Sequence, residues 1–255
     1  MKPNFILEAG LNHFGRVDEA KKILNFFIKS EFNYLTFMLH KREFYNTQIK
    51  EKKINFYLPK SFYVNALKLA HSKGKKIGLS VCDLSTLEDL SELNFDFYKI
   101  LGIAINNIPL LKNIKLKKKN TYISLAIADD IKIKKCLKYI SGKKKTSLIY
   151  TSMSYDAKDT NVSRITYLKK KYNLPVGYGH HFKNLSPVLM SSFYNPEFYF
   201  FYLKRKIKNK KIIYPDNGHA IFFDDLSYLN ELINESIILA NNKRIKTSIK
   251  LKYGQ

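Results

Sequence analysis

The sequence holds only two cysteines, Cys82 and Cys136, far apart and without a metal-type spacing. That excludes a disulfide framework and reads as reduced thiols in a cytoplasmic protein. An uninterrupted apolar stretch of roughly 18 residues, the length that crosses a bilayer, is missing. The N-terminus Met1-Lys2-Pro3-Asn4 leads straight into Phe5-Ile6-Leu7, which is not the pattern of a signal peptide. No linker rich in Pro, Gly and Ser divides the chain, and no internal repeat is visible by residue identity. One domain over residues 1–255 is therefore the expectation.

Acidic residues are also few: 21 Asp and Glu against 45 Lys and Arg, a formal net charge of +24. A basic chain invites a nucleic-acid reading. Here the lysines are spread in short clusters (Lys115 to Lys119, Lys143 to Lys145, Lys169 to Lys171, Lys204 to Lys211) among many Ile, Asn, Phe and Tyr, as an AT-rich coding bias produces. No nucleic-acid recognition motif accompanies them. They read as a solvated basic surface, compatible with an anionic substrate.

What is present is alternation. Short apolar segments recur at Asn4 to Glu8, Tyr34 to Met38, Ile77 to Val81, Phe97 to Ile100, Thr121 to Leu125, Ser147 to Thr151, Pro175 to Gly177 and Phe198 to Leu203. Between them lie helical spacings such as Ala20, Ile23, Leu24 and Phe27, or Phe62, Ala66, Leu69 and Ala70, or Leu229, Leu232, Ile233 and Ile237. Lys73-Gly74 punctuates a helix end, Ser85 and Asn107 are placed to start helices, and Lys204 to His219 is the longest piece without an evident element. Eight β-then-α units predict a closed (β/α)₈ TIM barrel of the α/β class.

In such a barrel the chemistry collects at the C-terminal ends of the strands. Those ends carry Glu8 with Asn12 and His13, Cys82 and Asp83, Lys99, Ser124, Thr151 with Ser152 and Tyr155, His180 with His181, and Lys204 with Arg205. Buried ionisable side chains at strand ends are costly unless used or paired, which singles out Glu8 and Lys99. Asp83 is equally placed to cap a helix. Ser124 and Thr151 alone say little.

Several of these residues sit in longer strings. Glu8-Ala9-Gly10-Leu11-Asn12-His13-Phe14-Gly15 resembles the E-A-G-x-N-H-x-G opening of the sialic acid synthase family. Tyr98-Lys99-Ile100 with Asn107-Ile108-Pro109-Leu110-Leu111 resembles its Y-K-I-A-S segment and N-x-P-L-L helix start. Thr151 to Tyr155 with Asn161 is similar to its sixth-strand region, Val176-Gly177-Tyr178-Gly179-His180-His181 to its V-G-Y-S-D-H motif, and Pro215-Asp216-Asn217-Gly218-His219-Ala220 to a P-D-H-A segment with two residues inserted. The resemblance implies a barrel that condenses phosphoenolpyruvate with an acylamino sugar to a nonulosonic acid, in carbohydrate biosynthesis in the cytoplasm. A divalent metal, Mn²⁺ or Mg²⁺, would be held by two histidines, and a homodimer is compatible. It implies Glu8, His13 and Lys99 as catalytic residues and His181 as a metal ligand. Asn12, Asp83, Ser124, Thr151, Tyr155, Asn161, Lys204, Arg205 and His219 would meet substrate.

The sequence also departs from that pattern. The family's second-strand lysine falls at Thr36, serines at Gly102 and Gly179, and a third-strand threonine at Val81. The second metal histidine falls at Lys204 or Arg205, and a cationic side chain repels a metal ion. The family's C-terminal antifreeze-like domain has no counterpart before Gln255. Three readings stay open: a diverged synthase in which Lys204 or Arg205 supplies the missing positive charge, a barrel that binds a sugar or sugar acid as a regulatory partner without condensing it, and a nucleic-acid binder.

Overall fold

The computed structural model describes residues 3–46, 55–126, 128–140, 145–206 and 213–241. Lys143, Lys144 and the middle of the expected Lys204 to His219 loop, 207–212, lie outside the described residues.

Eight strands run parallel in chain order: β1 (Asn4–Glu8), β2 (Tyr34–Leu39), β3 (Lys76–Val81), β4 (Phe97–Ile100), β5 (Asn120–Ser124), β6 (Thr146–Tyr150), β7 (Val176–Gly179) and β8 (Phe198–Lys204). β8 returns to pair with β1 from Asn4 opposite Phe198 to Glu8 opposite Tyr202, which closes the barrel. Every strand predicted from the apolar runs is found, with ends displaced by at most two residues. The largest shift is at β7. It begins after Pro175, which has no N–H to give, and continues through Tyr178 and Gly179, opposite Tyr199 and Phe200. The unforeseen element is β9 (Ile221–Phe222), a two-residue strand that pairs with Leu203 and Lys204 of β8.

Side chains alternate across each strand, so each contributes to two cores. Outward residues such as Leu7, Leu35, Phe37, Leu79, Tyr178 and Phe201 pack under the surrounding helices in one large cluster. α1 (Val17–Lys29) buries Ala20, Ile23, Leu24 and Phe27 there. α2 (Lys60–His71) buries Phe62, Ala66 and Ala70. α3 (Leu84–Glu88), α4 (Ile108–Leu116), α5 (Asp130–Ile140), α6 (Arg164–Tyr172), α7 (Ser186–Ser191) and α8 (Leu226–Asn241) complete the ring. Each fully buried large side chain contributes about 1.5–3 kcal/mol.

Inward residues fill the barrel. Ile6, Phe97, Ile149, Phe198 and Phe200 form a second, smaller cluster, with Tyr34 and Tyr122 against it. This aromatic plug needs room, and two glycines provide it. A Cβ at Gly78 would stand 2.2 Å from the Phe97 ring, and one at Gly177 2.2 Å from Phe198. The plug closes the lower part of the barrel, and above it, at the C-terminal ends, the inward layer is mostly polar.

Candidate active site

The top inward layer is built by strand parity. Glu8, Thr36, Ser80, Lys99, Ser124, Thr151 and Tyr202 all fall on positions that alternate with outward core residues, and all are buried. Lys99 Nζ donates to both carboxylate oxygens of Glu8, at 2.6 and 2.7 Å. Burial pushes the Glu8 carboxyl above its usual range, against the opposing charge and hydrogen bond of Lys99. The ammonium also lies 4.8 Å from the centre of the Phe200 ring and 5.5 Å from that of Tyr202. Thr36 and Ser80 share a hydrogen bond of 2.9 Å.

Parity corrects one expected loss. Val81 is fully buried in the outer core, so a hydroxyl at that position would not reach the mouth. The inward hydroxyl of β3 is Ser80. The two glycines that replace family serines have packing reasons. A Cβ at Gly179 would stand 2.4 Å from Thr151 Oγ1, and one at Gly102 2.4 Å from the Ala126 Cβ.

Above this layer lies a ring stack. His181 and His219 are stacked with centroids 4.2 Å apart and planes 18° apart, and Tyr202 meets both edge-on at 5.2 and 5.0 Å. The side chain that β8 brings against His181 is therefore Tyr202, not Lys204 or Arg205. Burial, reinforced by each other's proximity and by Lys99, pushes His181 well below its usual range. Burial likewise lowers His219 to about 4, helped by Lys99 and Lys204. Tyr155 donates or accepts a 3.2 Å hydrogen bond at His219 Nδ1.

The segment after β8 is clasped across this stack. Asn12 Oδ1 accepts from the Asp216 N–H at 3.0 Å, while Asn12 Nδ2 donates to the Leu203 carbonyl at 2.8 Å. The Leu11 N–H donates to Asp216 Oδ2 at 3.2 Å, and Tyr214 stacks on Phe14. Gly10, at φ +53°, has to be glycine here, because a Cβ would stand 2.3 Å from the Asp216 carboxylate. Burial raises Asp216 to about 6, opposed by the Leu11 hydrogen bond. The structure adds Asp216, Tyr202 and Ser80 to the expected residues; only strand alternation could have pointed to the last two.

Other expected residues stand elsewhere or are already engaged. His13 is buried with Nδ1 accepting from the Gly15 N–H at 3.0 Å and the ring bonded to the Gly10 carbonyl, so it shapes the first loop. Asp83 caps α3, accepting from the Thr86 N–H at 3.1 Å; the cap is not Ser85, whose hydroxyl donates to the same carboxylate. Asn107 caps α4 as expected, accepting from the Leu110 N–H at 3.2 Å. Asn161 is exposed and accepts from the Ser163 N–H and hydroxyl within its own turn. Arg205 points outward and holds Glu19 of α1 through two hydrogen bonds of 3.0 and 2.9 Å. Lys204 donates to the Asn217 carbonyl at 2.8 Å and lies over Phe222. Around the mouth, a cleft of about 730 Å³ runs between the β6 and β7 loops from Tyr155 to Met190, and one of about 470 Å³ between the β7 and β8 loops includes His180, Lys204 and His219.

As placed, these residues do not fit a divalent cation. Among the described residues no three His, Cys, Asp or Glu side chains come together as a ligand set. The two imidazoles lie face to face, and both oxygens of the Glu8 carboxylate are engaged by the Lys99 ammonium.

A closed eight-stranded parallel barrel agrees with what comparison with known proteins finds. The NeuB family model matches residues 17–192. The chain belongs to the NeuB family. It is similar to N,N'-diacetyllegionaminic acid synthase of Campylobacter jejuni, 27% identical over 208 residues, 72% of this chain and 62% of that one. An uncharacterized protein of Methanocaldococcus jannaschii is 28% identical over 191 residues, 71% of this chain and 56% of that one. The chain thus spans less than two thirds of the length of these relatives. Among solved structures, N-acetylneuraminic acid synthetase of Leptospira borgpetersenii in complex with citrate superposes with a TM-score of 0.81 at 21% identity, covering 96% of this chain and 88% of that one. The spore coat polysaccharide biosynthesis protein spsE of Bacillus subtilis gives 0.78 at 17%, covering 96% and 72%. These likenesses carry the fold. Among the described residues no helix is long and apolar enough to cross a membrane.

Proposed function

We propose that this NeuB-family barrel condenses phosphoenolpyruvate with an acylamino hexose to a nonulosonic acid, in the cytoplasm where that phosphate ester is made. The observation that carries the reading is the Lys99–Glu8 pair, buried at the top of the barrel. In the balanced reaction the methylene carbon of the enolpyruvyl unit bonds to the aldehyde carbon. The aldehyde oxygen gains a proton to become a hydroxyl, one water is consumed, and inorganic phosphate leaves.

Lys99 is the ammonium placed to meet the anionic substrate, which it does by exchanging Glu8 for a carboxylate or phosphate oxygen. Released from Lys99, a buried Glu8 has the raised carboxyl suited to holding a proton near the reacting carbons. Thr36, Ser80, Ser124 and Thr151 offer hydroxyls around that position. The family's metal would polarise the aldehyde; since the donor set does not fit one, no step is assigned to it.

A second reading, a barrel that binds a sugar or sugar acid without condensing it, is favoured by Arg205 and Lys204. These cations, expected to replace the metal charge, are held by Glu19 and Asn217. One experiment separates the two: phosphate release from phosphoenolpyruvate with a panel of N-acetylated amino hexoses, and mass spectrometry for a nine-carbon acid. Sugar-dependent release that Lys99→Ala abolishes supports condensation. Sugar binding by calorimetry without release supports the second reading.

A further inference from the structure

Tyr155, on the loop after β6, and His219, on the segment after β8, share the 3.2 Å hydrogen bond between the phenol oxygen and Nδ1. A phenol is a stronger acid than a neutral imidazole N–H, and a bare imidazole nitrogen is a better acceptor than a phenol oxygen. The favoured arrangement therefore has Tyr155 donating and Nδ1 accepting. The ring proton then sits on Nε2. That nitrogen is buried and has no hydrogen-bond partner among the described residues. A buried N–H left without an acceptor costs about 1–3 kcal/mol, a cost that persists only where something else holds the ring in place.

Much holds it. The ring is stacked on His181 and meets Tyr202 edge-on, and its segment is clasped by Asn12. Gly218 lets the phenol approach: a Cβ there would stand 2.3 Å from the Tyr155 hydroxyl. His219 also belongs electrically to the mouth, since it feels the Lys99 charge.

We propose that the Nε2–H of His219, oriented by Tyr155, donates a hydrogen bond to the carbonyl oxygen of the sugar substrate, so that a neutral imidazole polarises that carbonyl in a mouth whose side chains do not make a metal site. This rests on the condensation reading above. The carbonyl oxygen gains negative charge as the carbon–carbon bond forms, and a pre-aligned donor acts on that charge without having to reorganise. A neutral imidazole serves as an electrophile elsewhere in enzymes. Tyr155 acts through His219 and is a positioning residue; His219 is the group that touches substrate.

The test begins with the histidine tautomer. Long-range ¹H–¹⁵N spectra of the ¹⁵N-labelled protein, with EDTA present, should show His219 protonated on Nε2. Tyr155→Phe should shift it towards a mixture of tautomers, and adding N-acetylmannosamine or N-acetylglucosamine should move the Nε2 resonance. In turnover, His219→Phe should lower kcat on the order of 10²–10³-fold. His219→Gln, which keeps an N–H donor, should recover part of the loss, and Tyr155→Phe should lower kcat more than it raises KM. Protonation on Nδ1 in the unaltered protein would overturn the proposal. So would sugar-dependent turnover that His219→Phe leaves unchanged, or that EDTA abolishes and Mn²⁺ restores, with the condensation reading left standing. Sugar-induced movement of the Nε2 resonance with no phosphate release from any sugar would sustain the donor role and remove the condensation reading.

Discussion

Lys99 donates to both carboxylate oxygens of Glu8, from the opposite side of the barrel mouth and with both side chains almost wholly excluded from water. In such a pair the attraction mainly offsets the loss of hydration, and removing one partner strands the other. Lys99→Ala should therefore destabilise the protein by about 3–5 kcal/mol, while the double variant Glu8→Gln with Lys99→Met should recover much of that loss. Urea unfolding of the unaltered protein, Lys99→Ala and the double variant checks it. A double variant as unstable as Lys99→Ala would show that the pair is not the source of the effect. Phosphoenolpyruvate binding, followed by calorimetry, should be lost in both variants that lack the ammonium.

Acid should unfold the barrel through its imidazoles. Burial lowers His13 to about 4 and His180 to about 3, against an ordinary value of 6.5. A folded value below the unfolded one means stability present above pH 6.5 and lost as pH falls through the folded value. Each group should contribute a slope of about 1.4 kcal/mol per pH unit over that window. Melting temperatures from pH 7.5 to pH 4.5 should fall, and His180→Phe should flatten the profile.

Asp216 works in the opposite direction. Its carboxyl is raised to about 6, so the segment over the mouth is held better with the acid protonated, and that contribution is lost as pH rises from about 4 to about 6. Asp216→Asn keeps an oxygen for the Leu11 N–H. It should melt above the unaltered protein at pH 7.5 and level with it at pH 4. A gap that does not change with pH would disprove the cause.

Restoring the family serine at Gly179 should not restore function. The added Cβ collides with Thr151 Oγ1 and approaches Ile149 Cγ2 to 2.9 Å, so Gly179→Ser should cost about 1–3 kcal/mol. Thr151→Ala in the same protein should recover part of it, as denaturant midpoints will show.

Manganese should bind weakly. Titration at pH 7.5 should give little heat up to millimolar Mn²⁺, because the stacked His181 and His219 and the Lys99-bound Glu8 do not present a ligand set. A tight stoichiometric isotherm would mean that the stack rearranges, and would count against the carbonyl-donor role of His219.

The barrel was legible because its signal is repetitive. Asn4 to Glu8, Phe97 to Ile100 and their counterparts are short apolar runs whose spacing leaves room for one helix each, and small errors at an end, such as Pro175, do not alter the count. The motif strings led to Glu8, Lys99 and the imidazole of His181 for a related reason: residues at the ends of parallel strands are carried to one face by topology alone.

Which way a side chain points, and what it has already bonded to, is a different kind of information. Val81 and Ser80 are neighbours in sequence, and only the alternation of β3 against β2 and β4 gives the mouth to Ser80. Arg205 is one residue beyond Lys204. Yet it faces α1, because Glu19, remote in sequence, supplies two hydrogen bonds. Tyr155 and His219 meet although they lie on loops after different strands. By itself the sequence determined the count of barrel strands, the end of the barrel that carries the site residues and the family strings. Local periodicity and chain topology are sufficient for those. The tertiary structure decided the partner of each polar group, because in a closed barrel that partner comes from across the mouth, where no local rule reaches.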